Sequence, residues 1–224
     1  MHISDGILTP LWCIIWYIIA LVFIAYGVLK IKKRTKENTA YMPMLALMGA
    51  AVFVISVWHI PVPVTGSSSH PVGTPMSAII VGPYATVVIS AIALFFQMFL
   101  GHGGLTTIGA NTVSMGIVGT FSGYIVYKIL TLMKAPLWLS AGMAGFVGDM
   151  LTYATTSYEL AISLFPNSVM SHLAIFMIGF APTQIPLAVA EFVFTAMIVR
   201  YIAEQRPDIL VKLQRGEISE QNAY

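Results

Sequence analysis

At 224 residues, with 58% hydrophobic and only 9% charged side chains, the chain falls far short of the about 25% charged residues carried by a water-soluble domain. Eleven basic and nine acidic side chains could not cover a globule of this size, so lipid is the expected solvent and helices apolar on all sides are the expected elements. The net charge of +2 gives no argument for a nucleic-acid partner, and Cys13 as the single cysteine excludes an intrachain disulfide.

The opening Met1-His2-Ile3-Ser4-Asp5 has no basic residue ahead of the apolar run and no small-residue cleavage site behind it. A cleaved signal peptide is therefore not expected. The bulk of His2 predicts that Met1 is retained with a free α-amine. The first apolar run covers residues 10–31 and is followed at once by Lys30, Lys32, Lys33, Arg34 and Lys36. Such a cluster stays on the cytoplasmic side, which puts the N-terminus outside. Further runs cover residues 42–60, 83–100, 108–130, 136–157 and 172–201. The tail, residues 202–224, carries Arg206, Lys212 and Arg215 and reads as cytoplasmic.

An outer N-terminus and an inner C-terminus require an odd number of crossings, whereas the clear runs number six. With Lys128 and Lys134 cytoplasmic, the run 108–130 travels inward and the run 83–100 outward, so something within residues 61–82 must cross inward. That stretch is rich in Pro, Gly and Ser and makes a poor continuous helix. Irregular backbone survives at membrane depth only where protein buries it or it lines a cavity, and broken spans often build a transporter's substrate site. Residues 65–74 are thereby marked out without any motif. The alternative is an outer loop here, with the seventh crossing made by splitting residues 157–201 near Pro182 or Pro186. The expected fold is an all-α membrane protein, a seven-helix transmembrane bundle in a single domain (residues 1–224). Residues 1–9 precede the first span as a separate N-terminal segment. There is no nucleotide-binding loop, so the chain cannot hydrolyse ATP itself.

Met1-His2 is the most specific chemical feature. The α-amine and the amide nitrogen of His2 close a five-membered chelate; the amide and the His2 Nδ1 close a six-membered one. Three nitrogens then lie in one plane with a fourth corner open, which suits Ni(II) or Cu(II) better than tetrahedral zinc. His70, in the irregular segment, is the natural fourth ligand. Metal binding of this kind displaces protons and weakens in acid.

Residues 1–8, Met-His-Ile-Ser-Asp-Gly-Ile-Leu, resemble the opening of the CbiM/NikM family. Residues 64–74 resemble the same family's Thr-Gly-Ser-x-x-His segment. Residues 101–112, and Gln184 to Ala188 with Glu191, match two further stretches. The family comprises substrate-capture (S) components of energy-coupling-factor transporters for cobalt and nickel. The resemblance implies an extra N-terminal helix before a six-helix core. It also implies metal held by the Met1 amine, the His2 amide and imidazole, and His70. The substrate would be Ni2+ or Co2+, with no catalytic cofactor. Implied partners are a transmembrane coupling subunit and two cytoplasmic ATPase subunits in a prokaryotic plasma membrane; a small additional membrane subunit is left open. Ala46 and Ala50, with Gly49 between them, resemble the Ala-x-x-x-Ala motif by which such components meet the coupling subunit, small residues at that spacing allowing helices to approach closely; ordinary packing within the bundle is the alternative.

Other residues are read more plainly. His59 beside Trp58 fits an interfacial pair, His102 a glycine loop packed over the site, and His172 a solvated helix end. Asp149 and Glu191 lie within spans, where acids are costly; they could orient a ligand or brace helices through Ser, Thr or Tyr hydroxyls, and bracing is favoured. Asp5 is expected to cap the first helix or fix the N-terminal loop. Glu159 is expected near the outer surface. The thirteen methionines are apolar filler. Two other functions compete: a vitamin-type S component, which has no use for a free N-terminus, and an intramembrane hydrolase using Ser67, Ser68 or Ser69 with His70, whose adjacency is poor geometry for a nucleophile and its base.

Overall fold

The computed structural model describes residues 2–62 and 67–205. They form seven helices: α1 (Pro10–Glu37), α2 (Tyr41–Ser56), α3 (Thr74–Val81), α4 (Pro83–Met98), α5 (Ile108–Leu132), α6 (Leu137–Leu164) and α7 (Val169–Gln205). A two-stranded hairpin, β1 (Ile60–Val62) and β2 (Ser67–Ser69), is the one departure from an all-α reading among the described residues. Three helices, α1, α5 and α7, are long and apolar enough to cross a membrane, and α2 and α4 are shorter apolar helices. Leu11, Ile14, Ile18 and Val22 of α1 are exposed, as expected of an outer helix that turns its apolar surface to lipid rather than to a core.

The directions of the helices follow from their end contacts. The Tyr41 hydroxyl, at the start of α2, and the Arg34 guanidinium, near the end of α1, both donate to the Val81 carbonyl, at 2.8 and 3.1 Å. At the other end the Gln97 amide of α4 donates to Ser56 of α2 at 2.7 Å. Helices α2 and α4 therefore run in the same direction, and the chain between them must return. It does so through an irregular stretch, residues 70–73, and the eight-residue α3, every residue of which is buried. Helix α3 supplies about 12 Å of rise and the four residues before it about 13 Å. Together they match the about 24 Å of each sixteen-residue neighbour. A broken return segment between α2 and α4, of the kind expected for residues 61–82, is thus present. The alternative is not adopted: α7 is continuous, with Pro182 and Pro186 inside it.

The remaining helices alternate, so the described chain begins at one end of the bundle and finishes at the other. Lys32, Lys33 and Lys36 of α1, Lys128 of α5, the α5–α6 connection with Lys134, and Arg200 of α7 all belong to the end opposite the chain's start. In α5, residues Thr112–Gly119 adopt π-helical turns, and the Thr74 hydroxyl at the start of α3 donates to the Met115 carbonyl at 3.0 Å. Wide turns of this kind free carbonyls from the α-helical ladder and often mark functional segments.

Candidate metal centre

The N-terminal segment does not trail into solvent. His2 and Ile3 are buried, and four side chains from separate parts of the chain hold them. Asn111 accepts from the Ile3 amide at 2.9 Å and donates to the Ile3 carbonyl at 3.2 Å. The Thr107 hydroxyl donates to the same carbonyl at 2.6 Å, and the Ser67 hydroxyl to the His2 carbonyl at 2.9 Å. Ile3 and Leu8 then join the apolar cluster around Trp16 and Phe180.

Gln97 sets the state of the His2 ring. Its amide nitrogen donates to Ser56 and to the Phe53 carbonyl, which turns its oxygen onto His2 Nε2 at 2.8 Å. An acceptor there assigns the proton to Nε2. The opposite nitrogen, Nδ1, is buried with no hydrogen-bond partner among the described residues and so presents a lone pair. Burial holds this imidazole well below its ordinary pKa, which keeps it in the neutral, ligating form.

His70 is fully buried, its ring centroid 4.2 Å from that of His2. Its Nδ1 donates to the Pro71 carbonyl at 2.8 Å, which makes Nε2 the nitrogen without a proton. The segment carrying His70 is clamped from α7: the Glu191 carboxylate accepts from the Val72 amide at 3.0 Å and the Gly73 amide at 2.8 Å. Glu191 is therefore a brace, through backbone amides at the start of α3 rather than through hydroxyls. Asp149 braces too, accepting from the Gln184 amide at 2.6 Å across α6 and α7.

Two further histidines complete the group. The hairpin pairs Ile60 with Ser69, and continuing that register by one residue sets His59 opposite His70. His59 and His102 are stacked, 4.1 Å apart and 7° from parallel, with centroids 6.4 and 6.0 Å from that of His2. His59 is thus not the interfacial partner of Trp58, which is 73% exposed; the hairpin register carries it inward, and no sequence period signals that. His102 does sit on a loop packed over the site. Gly103, at φ 75°, faces the His2 ring, and a Cβ on Gly104 would overlap the Asp5 carboxylate. Glu159 is fully buried rather than near the surface, because α6 extends to Leu164 and keeps Glu159 against the bundle interior. His172 stacks on Phe165 and pairs with Ser168 at the start of α7.

Asp5 fixes the glycine loop and does not cap α1, whose first turn has no side-chain cap. It accepts from the Thr106 hydroxyl at 2.6 Å, the Thr106 amide at 2.8 Å and the Leu105 amide at 3.1 Å. The Thr106 hydroxyl, followed by these amides, holds its carboxyl below the usual range. A carboxylate of lowered pKa contributes stability above its unfolded pKa and loses it as pH falls through the folded value. Asp5→Asn is therefore expected to lower the unfolding midpoint at neutral pH and to flatten the acid limb of its plot against pH, the two proteins converging in acid. Gly104→Ala is expected to cost about 1–3 kcal/mol by overpacking, read as a lower midpoint in detergent.

Among the described residues no three His, Cys, Asp or Glu side chains converge on one ion position. Met1, which would supply the terminal amine, lies outside the described residues, as does the tail from residue 206.

Such a bundle, with a buried histidine group at one end, has the fold of a transition metal transporter. A solved structure described as a transition metal transporter superposes with a TM-score of 0.82 at 25% identity, covering 91% of this chain and 93% of that one. A truncated transition metal transporter gives 0.83 at 26% identity, covering 91% and 99%. The family described as "Cobalt uptake substrate-specific transmembrane region", CbiM, matches residues 2–209. The cobalt transport protein CbiM of Sorangium cellulosum is 42% identical over 216 residues, 96% of each chain. The chain belongs to the CbiM family.

Proposed function

We propose that the chain is the metal-capturing S component of an energy-coupling-factor importer for Ni(II) or Co(II), with the ion held by the Met1 amine, the His2 amide and Nδ1, and His70. The observation that carries this is the buried His2 Nδ1, unpartnered beside the His70 ring. A buried polar atom normally has a partner, and a metal is the partner this one fits. Four nitrogen donors in a plane favour nickel, and the relatives' names favour cobalt.

The basic end is the cytoplasmic one by the rule that Lys and Arg stay inside, so the histidine end faces outward in a plasma membrane. Ala46, Gly49 and Ala50 line a groove of about 860 Å³ between α1, α2 and α4. Ala46 and Ala50 are exposed rather than packed within the bundle. This apolar face is where a transmembrane coupling subunit docks, which in turn carries two ATPases. The hydrolase alternative gains no support: Ser67 donates to the His2 carbonyl and Ser69 pairs with Thr183 at 2.8 Å, both tying the hairpin to its neighbours, and the Ser68 hydroxyl is bonded to no imidazole among the described residues. A vitamin-type S component would leave the buried His2–His70 pair without a task.

The test is an absorption spectrum and a calorimetric titration of the purified protein with Ni(II) and Co(II). One ion per chain is expected, with weak visible bands and no thiolate band. His70→Ala should weaken binding at least on the order of a hundredfold with unaltered expression. An unchanged titration would remove His70 from the centre.

A further inference from the structure

The proposed chelate accounts for His2 and His70 and leaves the other two histidines without a task. His59 and His102 lie stacked at the mouth of the site, both half-buried, and the Nδ1 of each is buried without a hydrogen-bond partner. Three imidazole Nδ1 atoms, those of His2, His59 and His102, thus lie unsatisfied within one group of rings spaced by 4.1 to 6.4 Å. One such atom is unusual where buried polar groups are generally satisfied; with that of His2 assigned to the chelate, those of His59 and His102 remain to be matched by a ligand that accepts electron pairs.

The positions are built rather than accidental. The hairpin register sets His59 opposite His70. Glycines in left-handed conformations flank His102, with φ 79° at Gly101 and 75° at Gly103. The His102 amide donates at 3.1 Å to the carbonyl of Gln97, the residue whose side chain fixes His2.

We propose that His59 and His102 form a loading site for the divalent transition-metal ion, from which it passes to the chelate at His2. This rests on the metal-capture reading. Two cis nitrogen donors about 2.1 Å from an ion stand about 3 Å apart; because the lone pairs lie in the ring planes and these planes are 7° from parallel, one ring must turn about its side-chain torsions for both to face a single ion. Two imidazoles with water in the other positions hold an ion weakly, since affinity grows with the number of protein donors. A weak two-donor site beside a stronger four-donor site suits handing on and not storage.

The experiment is stopped-flow loading of the detergent-purified full chain with cobalt(II) chloride. His59→Gln with His102→Gln is expected to slow loading by about tenfold while leaving the absorption spectrum of the loaded centre as in the parent. The two single substitutions serve if the pair does not fold. In a His2→Ala background, residual weak cobalt binding should remain and should vanish when His59 and His102 are also replaced. An unchanged loading rate, or residual binding indifferent to the pair, overturns the loading site. A changed final spectrum overturns it too, by placing the pair in the chelate itself. Full-strength binding by His2→Ala would instead sink the chelate, an outcome distinct from all of these.

Discussion

Two residues added ahead of Met1 are expected to abolish metal binding and leave a folded protein. The extension turns the α-amine into an amide and removes the five-membered chelate ring. A single histidine side chain beside His70 cannot replace it, because no third side-chain donor converges there among the described residues. The expected loss is about a thousandfold or more, equivalent to about 4 kcal/mol, measured by calorimetry against an unextended protein. The unfolding midpoint should change little, since Ile3, Asp5 and Leu8 keep their own anchors. Affinity should also rise with pH. The protons displaced are those of the Met1 α-ammonium and of the His2 amide; the imidazole, with its pKa lowered by burial, is already neutral and does not compete. Full-strength binding by the extended protein would end the chelate mechanism.

Glu191→Ala is expected to be the most damaging single change away from the histidines. The carboxylate is the acceptor for two consecutive amides, Val72 and Gly73, at the head of the broken crossing. Those amides open α3, where anions are favoured, and water cannot reach them at full burial. Each charge-assisted bond contributes about 1.5–3 kcal/mol, and stripping both leaves orphan donors three residues or fewer from His70. A loss of about 3–5 kcal/mol is expected, seen as a fall in midpoint together with weakened metal binding. Glu191→Gln, which keeps one acceptor oxygen, should be intermediate. A midpoint within error of the parent in Glu191→Ala would show that the clamp is not what orders the crossing.

The sequence carried the architecture well, for reasons of charge and chain geometry. The basic residues after α1, with Lys128 and Lys134, fix an odd crossing count. The structure meets it with the short α3 and not with a broken α7. His2 and His70 are brought together as the chelate requires. His59 was not legible, because its place depends on the pairing of Ile60 with Ser69, and three-residue strands leave no periodic trace. Glu191 was legible as a costly buried acid but not as a clamp on main-chain amides, since backbone donors have no sequence signature. Glu159 was misjudged because an apolar run marks the end of a hydropathy window and not the end of a helix.

The way the first residues are seated bears on how the ion leaves. His2 and Ile3 are pinned by Ser67, Gln97, Thr107 and Asn111, four latches on three different parts of the chain. At about 0.5–1.5 kcal/mol each, undoing them costs only a few kilocalories. Because α1 begins only at Pro10, withdrawing residues 2–9 would on the proposed function uncover the ion without unwinding a helix, at the further cost of exposing Ile3 and Leu8 and breaking the Asp5 bonds.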